Sequence, residues 1–296
     1  MTEFALVVAA YRRHFDVALD NGERLSCVLK GRSTQIACGD RVQIARVAGG
    51  GSIESVIPRS SSLYRSDAHH GKLIAANVTQ IVGIVAPDLS LNEELINRWM
   101  IAAEAEGCRF VLAANKADLP SFFVLRARLA PYAALGYPVV ELAALRDVVP
   151  IVPWLEERHT VLVGQSGMGK STLVNTLCPH AQVRTQDVSM ALATGRHTTT
   201  STALHQAPEL GADTWVVDSP GIKAFGLAHL DPRRIAESFV EIRPLLGRCR
   251  FRDCRHGSEP GCVVQAAVAA GAVAPFRVAL LHLLIAEASY ARKVAR

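Results

Sequence analysis

The chain has 296 residues, half of them hydrophobic and 20% charged, and a formal net charge of +5. This length allows one large or two to three small domains, and the composition excludes an intrinsically disordered chain. Of seven cysteines, three gather with a histidine between Cys249 and Cys262, which favours a reducing cytoplasm and one metal site over a disulfide framework.

The first apolar run, Phe4 to Ala10, follows Glu3 and precedes Arg12 and Arg13, the wrong order for a signal peptide. From Phe4 to Ile57 come five short β-rich runs, ALVVAAY, HFDVAL, RLSCVL, DRVQIARV and SIESVI. Turn signals at Asp20-Asn21-Gly22, Gly39-Asp40 and Gly49-Gly50-Gly51 separate most of them. Five strands in so short a stretch predict a small closed barrel of the OB type over residues 1–60, either a nucleic-acid binder or a spacer. Pro58 to Lys72 is polar and reads as a linker.

Strand and helix runs then alternate: TQIVGIVAP, LNEELINRWMIAAEAEG, RFVLAANKADL, SFFVLRARLAPYAALG, YPVVELA, VPWLEERH, TVLVGQSG, KSTLVNTLC, and later TALHQAP and TWVVDSP. This predicts an α/β domain with a mainly parallel sheet over residues 61–225. Residues 226–296 read as helical, with DPRRIAESFVEIRPLLG and two later helices flanking the cysteine cluster. The apolar stretch Val278 to Ala288 contains His282 and Glu287 and is too short to span a membrane. The basic excess lies at the ends: residues 226–296 carry 11 basic against 6 acidic side chains and residues 1–60 carry 8 against 6, while 61–225 carry 13 against 15. An anionic partner, or plain solubility, accounts for that excess.

Gly164-Gln165-Ser166-Gly167-Met168-Gly169-Lys170-Ser171 satisfies GxxxxGK[ST] between a strand and a helix, the setting in which backbone amides converge on phosphate. Lys170 is expected at the β- and γ-phosphates and Ser171 at magnesium, with Thr172 continuing the cradle. Asn115-Lys116-Ala117-Asp118 ends an apolar strand, where loops meet ligand. Its carboxylate can accept the ring N–H and exocyclic amine of guanine, while the Lys116 stem lies over the base. Asp218-Ser219-Pro220-Gly221 matches DxxG: Asp218 is expected to hold magnesium through water, and the Gly221 amide to bond the γ-phosphate. Together these motifs favour GTP over ATP.

Their order is unusual, because NKAD precedes the phosphate loop and DSPG follows it, so the nucleotide domain reads as circularly permuted. Between the phosphate loop and DSPG lies Gly195-Arg196-His197-Thr198-Thr199-Thr200, where Thr199 or Thr200 is the candidate to close on magnesium. Ile222 occupies the position where other GTPases carry a water-orienting glutamine, which makes His197 the candidate to position the attacking water; a solvated loop histidine is the alternative. Cys249, Cys254, His256 and Cys262 have spacing compatible with tetrahedral zinc, and four ligands leave no open position, so the metal's role is structural. Redox or incidental cysteines are the competing reading. Arg248, Arg250, Arg252 and Arg255 interleave with these residues and suit phosphate backbone.

Over nearly its full length the chain resembles the small ribosomal subunit-dependent GTPases of the RsgA, or YjeQ, family. The Gly39-Asp40-Arg41-Val42 turn, PRSSSLYR, NKAD, GQSGMGKS, GRHTTT, DSPG and the Cys-Cys-His-Cys knuckle carry the resemblance. It implies a late maturation factor that binds the small subunit and its rRNA, with slow GTP hydrolysis to GDP that the subunit stimulates, magnesium with GTP, and one structural zinc per chain. A cytoplasmic monomer with no membrane contact is the corresponding expectation. Two departures stand out: Thr79 where the family usually has aspartate, and Leu142-Ala143-Ala144 without the serine of the usual base-contacting turn. The competing functions are a P-loop ATPase and an RNA-binding scaffold that holds GTP without turnover.

Overall fold

The computed structural model describes residues 2–11, 14–31, 35–65, 72–87, 90–181, 202–218 and 225–294. Strands β1 (Thr2–Ala10), β2 (Phe15–Leu19), β3 (Arg24–Leu29), β4 (Arg41–Val47) and β5 (Gly50–Val56) match the five β-rich runs. They pair in the circular order β1-β2-β3-β5-β4 and back to β1, with β3 and β5 parallel, so the sheet closes into a barrel. Alternation fills it: Val42 and Ile44 point inward between Arg41 and Gln43, and Val7, Val17, Cys27 and Ile53 complete the core. Closure removes the edges that would otherwise recruit foreign strands.

The second sheet runs β10 (Val139–Glu141), β9 (Arg109–Ala114), β8 (Gln80–Val85), β11 (His159–Val163), β13 (Trp215–Asp218), β12 (Ala203–Gln206). All neighbours are parallel except β12 against β13. Helices α1 (Glu93–Glu106), α2 (Phe122–Ala134), α3 (Val152–Leu155) and α4 (Lys170–Leu177) follow β8, β9, β10 and β11. β8 is buried along its whole length, as a strand covered on both faces must be. Helix α1 starts cleanly because the Asn92 side chain accepts from Leu95 N, and it stops at Gly107 in the left-handed conformation.

One strand belongs to both sheets. A register shift between Val7 and Ala9 bends β1 out of the barrel, and Ala9 pairs with Ala203 of β12. Cys38 tightens this seam by donating to the Val8 carbonyl and, at 3.0 Å, to the Thr202 carbonyl. The segment read as a linker differs from expectation: Ser62–Arg65 forms β6, paired antiparallel with β7 (Lys72–Ala76), because Leu63 is buried in the main core.

The C-terminal helices are α5 (Pro232–Glu237), α6 (Val263–Ala269) and α7 (Pro275–Val294). The run from Asp231 to Gly247 is not one helix. Ser238 Oγ back-bonds to the Arg234 carbonyl, and Pro244 falls within a short 3-10 turn, Arg243–Leu245. These helices share one hydrophobic core with α1 and the central sheet. Among the described residues no helix is long and apolar enough to cross a membrane.

Candidate nucleotide site and metal centre

Parallel strands deliver their following loops to one edge of a sheet, and the chemistry-bearing segments sit there. The phosphate loop leaves β11, NKAD leaves β9, the Leu142-Ala143-Ala144 turn leaves β10, and Asp218 ends β13. Close approach explains two of the loop glycines. A Cβ on Gly164 would stand 2.6 Å from the Ile84 carbonyl oxygen, and one on Gly169 would stand 2.2 Å from Asn115 Nδ2. Met168 is buried in the core beneath the loop, so the loop is anchored from below.

Asn115 is the junction. Nearly fully buried, it donates from Nδ2 to the Met168 carbonyl at 2.9 Å and accepts at Oδ1 from Ala144 N–H at 2.9 Å. One side chain therefore joins the phosphate loop, NKAD and the turn after β10. Ala117 N–H bonds the Leu142 carbonyl at 3.0 Å, closing the same junction through backbone alone. The turn after β10 is thus held in place without the absent serine. Lys116 takes a left-handed backbone, and Asp118 turns outward to meet Arg146 Nε at 3.3 Å.

Lys170, the first residue of α4, curls its ammonium back onto the carbonyls of Gly164 and Gln165. Burial pushes it down to about 8, opposed by the charge of Asp218. Burial likewise pushes the Asp218 carboxyl up, opposed by Lys170. The loop thus holds a partly desolvated cation and anion near each other, and a polyanion with a hard cation would relieve both. Ser171 and Thr172 follow, half-buried, in the first turn of α4. A hydroxyl at 171 and a carboxylate at 218 are an oxygen donor set suited to magnesium. Gly221 of DxxG and Ile222 after it, and His197, Thr199 and Thr200, lie outside the described residues.

The other cluster brings Cys249, Cys254, His256 and Cys262 together, with all ligand atoms within 4.8 Å of one another. His256 Nδ1 lies 3.5 Å from the sulfurs of both Cys249 and Cys262, which are 3.9 Å apart. Metal–sulfur bonds near 2.3 Å and metal–nitrogen bonds near 2.0–2.1 Å give tetrahedron edges of roughly 3.8 Å and 3.5 Å. The cluster therefore has the dimensions to hold a tetrahedral metal ion. Burial pushes the Cys249 thiol up, but the N–H groups of Val263 and Val264 and the neighbouring thiols draw it below the ordinary value on balance, favouring the thiolate. Gln265 Nε2 holds the His256 carbonyl at 2.6 Å, and Glu259 accepts from the N–H groups of Arg255 and Gly257. Arg248, Arg250, Arg252 and Arg255 are exposed around it.

Two sets of residues were not singled out by sequence. Arg146 faces Asp118 from a turn whose only local signal is its closeness to β10. Around α1, Arg277 is buried with Glu241 and Asn97, and Arg98 is forked onto Glu287 at 2.6 and 2.9 Å. These contacts weld the C-terminal helices to α1.

Reading the sheet from β12 to β10 gives the spatial order of a GTPase domain, but the chain enters it at β8 and reaches the phosphate-loop strand only fourth, after β9 and β10. This is the fold of a circularly permuted GTPase, preceded by a five-stranded barrel and followed by helices that carry a Cys/His cluster. A sequence model described as RsgA GTPase matches residues 56–228. The chain belongs to the RsgA GTPase family and is a GTPase. The protein named small ribosomal subunit biogenesis GTPase RsgA of Nitrosospira multiformis is 46% identical over 95% of this chain and 90% of its own length. Its counterpart of the same name from Burkholderia pseudomallei strain K96243 is 45% identical, over 96% and 91%. Among solved structures, YjeQ from Thermotoga maritima superposes with a TM-score of 0.74 at 26% identity, covering 97% of this chain and 99% of that one. YloQ, described as a circularly permuted GTPase, superposes at 0.67 with 23% identity over 98% and 96%, a likeness of fold.

Proposed function

We propose that this GTPase binds the small ribosomal subunit through its rRNA and hydrolyses GTP to GDP during late maturation of that subunit, which stimulates the reaction. The observation that carries the reading is the Asn115 junction, which ties a phosphate loop to a guanine-reading loop in a chain whose relatives are named for small-subunit biogenesis. In this reading Asp118 reads guanine, with Asn115 and Lys116 framing the base and Ala117 fixing the loop. Backbone amides from Gly164 to Lys170 cradle phosphate, Lys170 neutralises the β- and γ-oxygens, and Thr172 supports the cradle. Magnesium bound with GTP, held by Ser171 and Asp218, supplies charge neutralisation of the phosphates. Gly221 senses the γ-phosphate, Thr199 or Thr200 closes the site, and His197 orients water.

In the same reading the Cys249, Cys254, His256 and Cys262 set holds one structural zinc, which fixes the knuckle arginines toward RNA phosphates. Residues 1–60, 61–225 and 226–296 act as barrel, GTPase and zinc-binding units of a cytoplasmic monomer. The test is multiple-turnover phosphate release with and without purified small subunits. Stimulation of on the order of 10-fold or more is expected. Equal rates with and without subunits reject the reading and leave a GTPase that the small subunit does not stimulate.

A further inference from the structure

The nucleotide loops use one edge of the parallel sheet, and the opposite edge has chemistry of its own. There β8, β9 and β11 begin, and their register sets Arg109 beside Gln80 and Gln80 beside Thr160. Arg158 precedes Thr160 by two residues, the spacing that keeps side chains on one face. Helix α3 closes this corner. The Trp154 carbonyl accepts from Gln80 Nε2 at 2.8 Å, and the Arg109 guanidinium carbon stands 4.3 Å from the Trp154 ring centroid. Gln80 Nε2 also reaches Thr160 Oγ1 at 3.1 Å.

Two buried side-chain polar atoms lack a hydrogen-bond partner among the described residues, Gln80 Oε1 and Arg158 Nε, and both belong to this corner. Buried polar groups are normally paired, so two orphans in one corner, an acceptor on Gln80 and a donor on Arg158, call for partners from outside the chain. The charge is also unbalanced. Many arginines elsewhere meet carboxylates, as Arg46 does Glu3, Arg126 does Glu141 and Arg277 does Glu241, while the knuckle arginines Arg248, Arg250, Arg252 and Arg255 stand exposed to solvent. Neither Arg109 nor Arg158 has a carboxylate partner among the described residues. Of the neighbouring acids, Asp213 holds His159 Nε2 at 2.9 Å, Glu157 lies against Gly211, and Glu156 is exposed at the end of α3. Burial and the charge of Arg158 hold Arg109 below its ordinary range, as expected of two cations without a counterion.

We propose that Arg109, Arg158 and Trp154 form a binding site for single-stranded RNA, with a backbone phosphate between the two guanidiniums and a base on the Arg109–Trp154 stack. The stack selects RNA over free phosphate, because a planar cation over an indole is a platform for bases and an inorganic ion makes no use of it. The opposite sheet edge leaves the GTP loops unobstructed, so RNA held here is compatible with nucleotide turnover. This site is argued from its own residues and does not require the small subunit to be the partner.

The test titrates the full chain with a fluorescein-labelled RNA of mixed sequence, about 12 nucleotides long, at several salt concentrations. R109Q/R158Q should bind about three- to tenfold more weakly, and its slope of log K against log salt should be less negative by roughly 0.7 for each phosphate that the variant leaves without a cation. Trp154→Phe should keep that salt slope while losing the RNA-induced change in tryptophan emission, and GTP affinity should be unchanged in both variants. Unaltered RNA affinity and salt slope in R109Q/R158Q overturn the site. Displacement of the RNA by inorganic phosphate at matched ionic strength, with the same emission change, overturns the RNA assignment in favour of free phosphate. If RNA binds as expected but small subunits do not stimulate hydrolysis, the subunit reading falls and this site stands.

Discussion

Asp118 and Lys170 meet different ends of the nucleotide, and each makes a separate prediction. An ionised carboxylate accepts two N–H groups from guanine, whereas an amide offers one acceptor and one donor. Asp118→Asn should therefore move preference from GTP toward XTP, measured by competition against a labelled nucleotide; an unchanged preference would remove Asp118 from the base. Lys170 supplies the pH dependence. Folding lowers its proton affinity, so the nucleotide-free protein gains stability as pH rises from about 8 toward the ordinary lysine value. GTP affinity runs the other way, because phosphate prefers the charged form: it should be flat below pH 8 and fall by up to about tenfold per unit above it. Isothermal titration between about pH 7 and 9 checks this, with Lys170→Arg as the variant whose affinity stays level across that range.

At the scale of elements, the Asn115 clasp is the feature with the widest reach, since three loops from β9, β10 and β11 meet on one side chain. Asn115→Ala would leave the Met168 carbonyl and the Ala144 N–H without their partner, a loss of about 1–3 kcal/mol. GTP affinity should drop on the order of tenfold or more, while the metal cluster is retained, as nucleotide titration and metal analysis would report. The sequence makes this site legible only in pieces. GxxxxGKS, NKAD, DxxG and the Cys/His spacing are contiguous signals with local mechanisms, and the barrel strands show plain alternation. What holds the pieces in one place is long-range. β6 hides in a serine-rich stretch because its support is Leu63 packing into the main core, and no period in four residues reports that. Arg146 meets Asp118 from 28 residues away, and the bend that hands β1 from barrel to sheet is visible only as a register shift.

At the scale of the whole molecule, the C-terminal helices and the GTPase sheet share one core through α1, so they are expected to unfold together. Arg277 is the most exacting place to test this. It is nearly inaccessible, bonded to both oxygens of Glu241 and to Asn97 Oδ1 on α1, with its guanidinium 4.4 Å from the Phe239 ring centroid. Its removal leaves a buried carboxylate and a buried amide oxygen unpaired, and breaking such a pair from one side costs about 3–5 kcal/mol. Arg277→Ala should lower the unfolding free energy by that amount in a single cooperative transition, seen equally by tryptophan fluorescence and far-ultraviolet circular dichroism. Trp99 lies on α1 in the shared core, so its emission follows the interface itself. Folded Arg277→Ala should still bind GTP within about threefold of the parent, because the nucleotide loops take their geometry from Asn115 and the phosphate loop rather than from this seam. Two separated transitions, one at the parent midpoint, would show instead that the C-terminal helices form an independent unit and that Arg277 stabilises only their docking.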